Sequence, residues 1–232
     1  MSATVAVVLC AGAGARAGAA VNKVFLELAG RSILERSVRP FVEHPSVEAV
    51  YVVAAPDEIE RVSDVLRRAD LAVAGVVCGG ATRHQSESNA VEHLAPRIEA
   101  GEVGIVMIHD GARPLFDGSG LDELIEAARR SGGAIPGLPV AGDLVRAADG
   151  REVARWVPRA GLWRALTPQV FRADLLLRAF RAAGADGFQG TDTASTVERI
   201  GGRVAVLRGD PGNLKVTYPE DLALAEHLLR EP

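Results

Sequence analysis

Thr4 to Arg16 read TVAVVLCAGAGAR. A run of β-branched and small apolar residues without polar alternation is the pattern of a strand buried on both faces, as in a parallel sheet. At Cys10 the run gives way to alternating alanine and glycine and then to a cation, so bare backbone N–H groups meet positive charge at the strand's carboxyl end, where an anion is well held. Similar short runs recur at Ala49–Ala54, Leu71–Val77, Val103–Ile108, Gly133–Val140 and Arg203–Leu207. Between them Ser32–Val42, Asp57–Arg68, Ser86–Ile98, Leu121–Arg130 and Ala173–Ala182 carry helical spacing. Strand and helix alternate, which predicts an α/β fold with a Rossmann-like, mostly parallel sheet and right-handed crossovers. Asp57 is expected to cap the helix that follows it, and Pro219, Glu220 and Asp221 open a last helix to Arg230.

Composition agrees with a folded chain and narrows its partners. Of 232 residues 48% are hydrophobic and 24% charged, which excludes disorder, and 26 Lys plus Arg against 30 Asp plus Glu leave a net charge of −4. A nucleic-acid or membrane-surface protein would be more basic. The longest apolar runs are too short to cross a bilayer, and MSATVAVVLCAGAG lacks a basic n-region, so no membrane span and no export are expected. Cys10 and Cys78 make neither a disulfide framework nor a metal set; both read as small core residues in a reducing cytoplasm.

One stretch breaks the alternation. Between Ala141 and Ala165 two strand-like pieces, Leu144–Ala147 and Val153–Val157, flank Ala148-Asp149-Gly150, whose Asp-Gly pair favours a tight turn. This predicts a protruding β-hairpin arm on a chain otherwise read as a single domain over 1–232. A lone hairpin is marginal in water, so the arm should lean on the domain or on another subunit.

Three further features carry chemistry. The first loop, with Arg16 and then Lys23, is a phosphate cradle or an ordinary tight turn; Ala17 breaks the dinucleotide fingerprint and no Walker lysine follows. Gly79-Gly80, with Arg83 and Ser86 beyond, repeats the pattern of bare backbone at a strand end, and in an open parallel sheet such ends line one crevice. The strand through His109 ends in Asp110-Gly111-Ala112-Arg113. There Asp110 suits a metal or a substrate hydroxyl and Arg113 a phosphate, unless the two simply pair or Asp110 caps a turn. His109 reads as a hydrogen-bonded core histidine.

In order, AGAGARAGAAVNKVF (11–25), GGATRHQS (79–86), HDGARP (109–114), VPRAGLWRALTPQ (157–169), GTDTAS (190–195) and GNLKVTYPEDLALAE (212–226) resemble the 2-C-methyl-D-erythritol 4-phosphate cytidylyltransferases of non-mevalonate isoprenoid synthesis. The resemblance implies transfer of CMP from CTP with release of pyrophosphate and a requirement for Mg²⁺. It implies that Arg16 and Lys23 hold the triphosphate, and that Ala11, Gly12, Gly14, Gly80, Ser86 and Gly111 contact the nucleotide. Asp110, also the metal position, faces the sugar phosphate with Arg113, Thr167 and Thr191. Lys215 completes the catalytic cations, and Arg159 is delivered by the arm into a partner's site, which implies a homodimer. A phosphomonoester is already anionic at neutral pH, so such a reaction needs positioning and charge neutralisation rather than a general base.

Asn22 stands where the family usually has proline, Ala81 where an acid is common, and Asp143 where a substrate-facing threonine is familiar; Arg146 is the expected partner of Asp143. Asp143 makes another polyol phosphate, such as ribitol 5-phosphate, the alternative acceptor. A non-catalytic CTP-binding regulator is the alternative of a different class.

Overall fold

The computed structural model describes residues 2–12, 22–148 and 150–230. In chain order these form β1 (Ala3–Leu9), a 3₁₀ turn (Lys23–Phe25), β2 (Glu27–Leu28), β3 (Arg31–Ser32), α1 (Ile33–Val42), β4 (Ala49–Ala54), α2 (Ile59–Arg68), β5 (Gly75–Cys78) and α3 (Arg83–Glu99). They continue with β6 (Val103–Asp110), α4 (Leu121–Ser131), β7 (Gly132–Pro139), β8 (Leu144–Ala148), β9 (Glu152–Val157), β10 (Trp163–Ala165), β11 (Gln169–Arg172), α5 (Ala173–Asp186), α6 (Thr193–Arg199), β12 (Arg203–Arg208) and α7 (Pro219–Arg230).

The sheet is mostly parallel, as the unbroken apolar runs require. β1 lies between β4 and β6, β5 extends the β4 edge, and all four run the same way. β11 enters antiparallel between β6 and β7, and β12 pairs parallel with the other edge of β7. Helices cover both faces. Leu34, Val38 and Phe41 of α1, Val62 and Leu66 of α2 and Leu124 of α4 pack with Val8, Val52 and Met107 on one side. Val91 and Leu94 of α3, Leu176 and Phe180 of α5 and Val197 of α6 pack with Val5, Val106 and Phe171 on the other. The side-chain period of two sends alternate strand residues into these two cores, which is why the strands carry no polar face.

Several expectations shift. The third strand begins at Gly75 rather than Leu71, because Leu71 closes α2 by donating its N–H to the Leu66 carbonyl after Asp70 takes a positive φ of 53°. Asp57 does not cap α2; it lies in a 3₁₀ turn, Pro56–Glu58, that runs into the helix without a side-chain cap. α3 starts at Arg83, capped by the Thr82 hydroxyl, rather than at Ser86, so Arg83 is helical and not in the loop. β10, β11 and α6 are additions to the predicted elements. Cys10 is buried as expected, but Cys78 is exposed, and neither is in a disulfide.

The arm is present as a two-stranded sheet of β8 and β9, slipped between Arg146 and Ala147. Gly150 adopts the positive φ of 78° that its turn requires, while Asp149 of that turn lies outside the described residues. The arm is shorter than 141–165, because Trp163–Ala165 returns to the main sheet as β10, antiparallel to β7.

Candidate active site

The carboxyl ends of β1, β5 and β6 open into one cleft of about 500 Å³. Ala11, Gly12, Lys23, Gly80, Ser86, Asp110 and Lys215 line it, so the three strand-end motifs and the C-terminal lysine do converge. Gly14 and Arg16 lie outside the described residues.

The β1 and β5 loops touch. A Cβ on Gly79 would sit 2.5 Å from the Ala11 Cβ and 3.1 Å from the Ala54 carbonyl oxygen, so this pair of loops closes only over glycine. The Gly80 N–H donates to the Ser86 hydroxyl at 3.0 Å and the Ala81 N–H to Gln85 Oε1 at 2.9 Å. Ser86 therefore shapes the loop from the first turn of α3, and the two N–H groups already have acceptors.

Asn22 fixes the entry to Lys23. Its amide donates to the Cys10 carbonyl at 2.9 Å and to Glu58 Oε2 at 2.7 Å, while its Oδ1 accepts from the Val24 N–H at 3.3 Å. Proline has no side chain able to make these bonds; here a buried asparagine ties the lysine's turn to the end of β1 and the start of α2.

Asp110 is the charge centre. It is 8% exposed and meets three cations: Lys215 Nζ at 2.8 Å, Arg83 Nη2 at 3.3 Å and Arg113 Nε at 3.7 Å. Burial alone would raise its pKa, but Arg83, Lys215 and Arg113 together hold it well below the usual carboxylate range. Asp110 and Arg113 thus do pair, within a larger cluster. Lys215 is brought in by the Val216 N–H, which donates to the Ala112 carbonyl at 2.8 Å. Arg113 is buried, donating Nη1 to the Asn213 carbonyl at 2.8 Å.

Thr167 sits behind the cluster at 3% exposure. Its hydroxyl accepts from the Asp110 N–H at 3.1 Å and lies 3.1 Å from His109 Nδ1, and its carbonyl accepts from Asn213 Nδ2 at 2.8 Å. Burial among Phe41 and Phe116 lowers His109 to about 3, so the ring is neutral, the core histidine expected. Gly111 is buried too: its N–H donates to the Leu9 carbonyl at 2.9 Å, and a Cβ there would fall 2.4 Å from Cys10 Sγ. Thr191 is exposed beside α6. Arg159 is on the arm, donating to the Ala141 carbonyl at 2.7 Å and 3.5 Å from Asp143. Asp143 thus pairs with Arg159, not Arg146.

A residue the sequence did not single out lies beneath the cleft. Glu87 on α3 is fully buried and accepts from Arg83 Nη1 at 2.6 Å and from the Thr193 hydroxyl at 2.5 Å. Burial pushes its carboxyl up to about 7 against the pull of Arg83 and Thr193. Its spacing from Ala90, Val91 and Leu94 on the buried face of α3 was the available signal.

Among the described residues no group of three or more His, Cys, Asp or Glu side chains is placed to hold a metal. A lone carboxylate at a cation-lined cleft fits Mg²⁺ carried in largely by substrate phosphates, which needs only one or two protein carboxylates.

Residues 4–231 match the family model for 2-C-methyl-D-erythritol 4-phosphate cytidylyltransferase. The enzyme of that name from Acidobacterium capsulatum is 42% identical over 213 residues, covering 90% of this chain and 87% of its own, and that from Geobacillus kaustophilus is 41% identical over 225 residues, covering 97% and 96%. A crystal structure of 4-diphosphocytidyl-2C-methyl-D-erythritol synthase superposes with a TM-score of 0.81 at 32% identity and 99% coverage of both chains. That of the Thermus thermophilus cytidylyltransferase gives 0.74 at 32% identity, covering 97% and 98%. With a mostly parallel sheet at whose strand ends Lys23, Asp110 and Lys215 line one cleft, this chain belongs to the 2-C-methyl-D-erythritol 4-phosphate cytidylyltransferase family of nucleotidyltransferases.

Proposed function

We propose that the cleft performs the family's reaction with the residues placed in it. An anionic oxygen of the 4-phosphate attacks the α-phosphorus of CTP, a new P–O bond forms, and the bond to the β-phosphate breaks with release of pyrophosphate. The observation that carries this reading is the Asp110 cluster: three cations on one buried carboxylate, beside Lys23, at the strand ends. The nucleophile is deprotonated near neutrality, since a phosphate's second pKa is about 6, so no base is needed and the neutral, buried His109 takes no part.

In this assignment Arg16 and Lys23 grip the triphosphate, Lys215 neutralises charge that develops on the phosphates, and Ala11, Gly12, Gly14 and Gly80 contact the nucleotide. Arg113 and Thr191 face the sugar phosphate; Thr167 and Gly111 act from behind by holding Asp110 and the β6 end in place, while Ser86, on the wall of the cleft, holds the Gly80 loop for the nucleotide. Mg²⁺, with Asp110 as its protein ligand, would screen the phosphates' mutual repulsion. The chain works as one nucleotidyltransferase domain in the cytoplasm, and as a homodimer whose arm carries Arg159 to the neighbouring site. The exposed Val153 and Trp156, 57% and 69% accessible, supply an apolar surface for that contact.

Pyrophosphate release with CTP and Mg²⁺, comparing methylerythritol 4-phosphate with ribitol 5-phosphate, tests the substrate; preference for the ribitol compound overturns it. Mixing an Arg159→Ala variant with a Lys23→Ala variant tests the shared site: mixed dimers regain activity, and no recovery refutes the trans arrangement.

A further inference from the structure

We propose that Glu87 is a positioning residue for the transfer reaction, holding the Arg83 guanidinium in the orientation in which it faces Asp110. The inference rests on the cleft being the transfer site.

The geometry is a relay of shared charges. Arg83 presents Nε and Nη2 to Asp110 Oδ1, both at 3.3 Å, and turns Nη1 away to Glu87 at 2.6 Å. A planar guanidinium divided between two carboxylates has its rotation fixed; with Asp110 alone it is free to tilt, and the Arg83 side chain is 30% exposed to the cleft. Glu87 is itself anchored from a third element by Thr193, the first residue of α6. That helix start does not drift: Gln169 of β11 donates to Asp192 at 3.0 Å and accepts from the Ala194 N–H at 2.9 Å. Asp110, Arg83, Glu87 and Thr193 thereby connect the end of β6 to the 190–193 segment, where Thr191 sits.

Packing alone does not account for Glu87. It occupies the buried stripe of α3, where an apolar side chain would cost nothing in desolvation, and its Oε2 has no hydrogen-bond partner. The one bonded oxygen of this carboxyl, Oε1, is spent on a cleft cation and on the Thr193 anchor, which ties the side chain to Arg83 rather than to the core around it.

Glu87→Gln keeps the shape and removes the ionisable carboxyl that accepts from Arg83. The expected result is a fall in kcat of about ten- to a hundredfold, as for a misplaced reacting group, with KM for CTP within about twofold and a melting temperature no lower than wild type. In an Arg83→Ala background the same substitution should change kcat by less than about twofold, because the group it acts on is gone. An unchanged kcat in Glu87→Gln, or an effect of equal size with and without Arg83, overturns the proposal. If Glu87→Gln does not fold, Thr193→Val removes the anchor instead and is held to the same kcat criterion in both backgrounds. Absence of pyrophosphate release by the wild-type protein would defeat the functional reading itself, a distinct outcome.

Discussion

Replacing Asp110 by asparagine removes one negative charge from among three positive ones. At 2.8, 3.3 and 3.7 Å and an effective dielectric of about 20, each lost attraction is roughly 4 to 6 kcal/mol gross. Most of that is offset by the desolvation the carboxylate no longer suffers, and Lys215, with 40% of its side chain exposed, is partly screened by water. Arg113, with 8% of its side chain exposed, is not. Breaking such a buried arrangement from one side typically costs about 3 to 5 kcal/mol. For a chain of this size that is a melting temperature lower by roughly 6 to 20 °C. The vacated cations should then welcome an anion. Pyrophosphate at about 100 times its Kd contributes about 2.7 kcal/mol by mass action, and it should bind the variant more tightly than the wild type, where Asp110 competes for Lys215 and Arg83. Calorimetric melts with and without pyrophosphate, metal-free, measure both effects. An Asp110→Asn protein that melts with the wild type, or gains no more from pyrophosphate than the wild type gains, refutes the account of Asp110 as counter-ion to the cluster.

Other outcomes follow from the same geometry. Lys23→Ala and Lys215→Ala should each lower turnover by about a hundredfold or more with far-ultraviolet circular dichroism unchanged; near-normal rates in either would remove that lysine from the catalytic set. Asn22→Ala loses three hydrogen bonds and should cost about 1 to 3 kcal/mol in urea unfolding while raising KM for CTP; an unchanged KM would show that Lys23 does not depend on that clamp. Glu87, raised to about 7, binds a proton on folding between its ordinary range and neutrality, so its contribution to stability falls by about 1.4 kcal/mol per pH unit as pH rises through that window. Glu87→Gln should accordingly gain on the wild type by about 3 kcal/mol between about pH 4.5 and 8, and parallel curves would contradict the burial argument. Asp110 has the opposite sign: its pKa is depressed, so its stabilisation is whole above about pH 4 and drains away as pH falls further.

The sheet was legible where strands are buried, because β1, β4 and β6 are continuous apolar runs with few polar residues, His109 and Asp110 entering only at the carboxyl end of β6. β10 and β11 escaped because they are three and four residues long, and β10 is exposed throughout. α6 escaped because TASTVER has no apolar stripe; its Asp192–Ser195 capping box was the readable mark. In the site, glycines and strand-end cations announced the cleft, since close backbone approach and phosphate binding demand those residue types. What the sequence does not display is which polar groups face inward. Thr167 reads as a ligand contact yet spends its hydroxyl on the Asp110 backbone and His109, and Glu87 is marked in the sequence only by its spacing from Ala90, Val91 and Leu94, its partners Arg83 and Thr193 becoming plain only in the fold.

The arm leaves the sheet at Pro139 and comes back at Trp163, and these two residues are paired neighbours across β7 and β10. Excursion and return are thus sewn together at the root, by Val140 N–H to the Leu162 carbonyl and Leu166 N–H to the Pro136 carbonyl, at 3.0 and 2.8 Å. Everything between is a cassette: its length, twist and apolar face can drift, or be exchanged for those of a relative, without shifting the register that carries Asp110. The floor of the cleft and the arm are therefore separately mutable: a change in the arm's own sequence leaves the strand ends that hold Asp110 where they are, and reaches the cleft only through what Arg159 does.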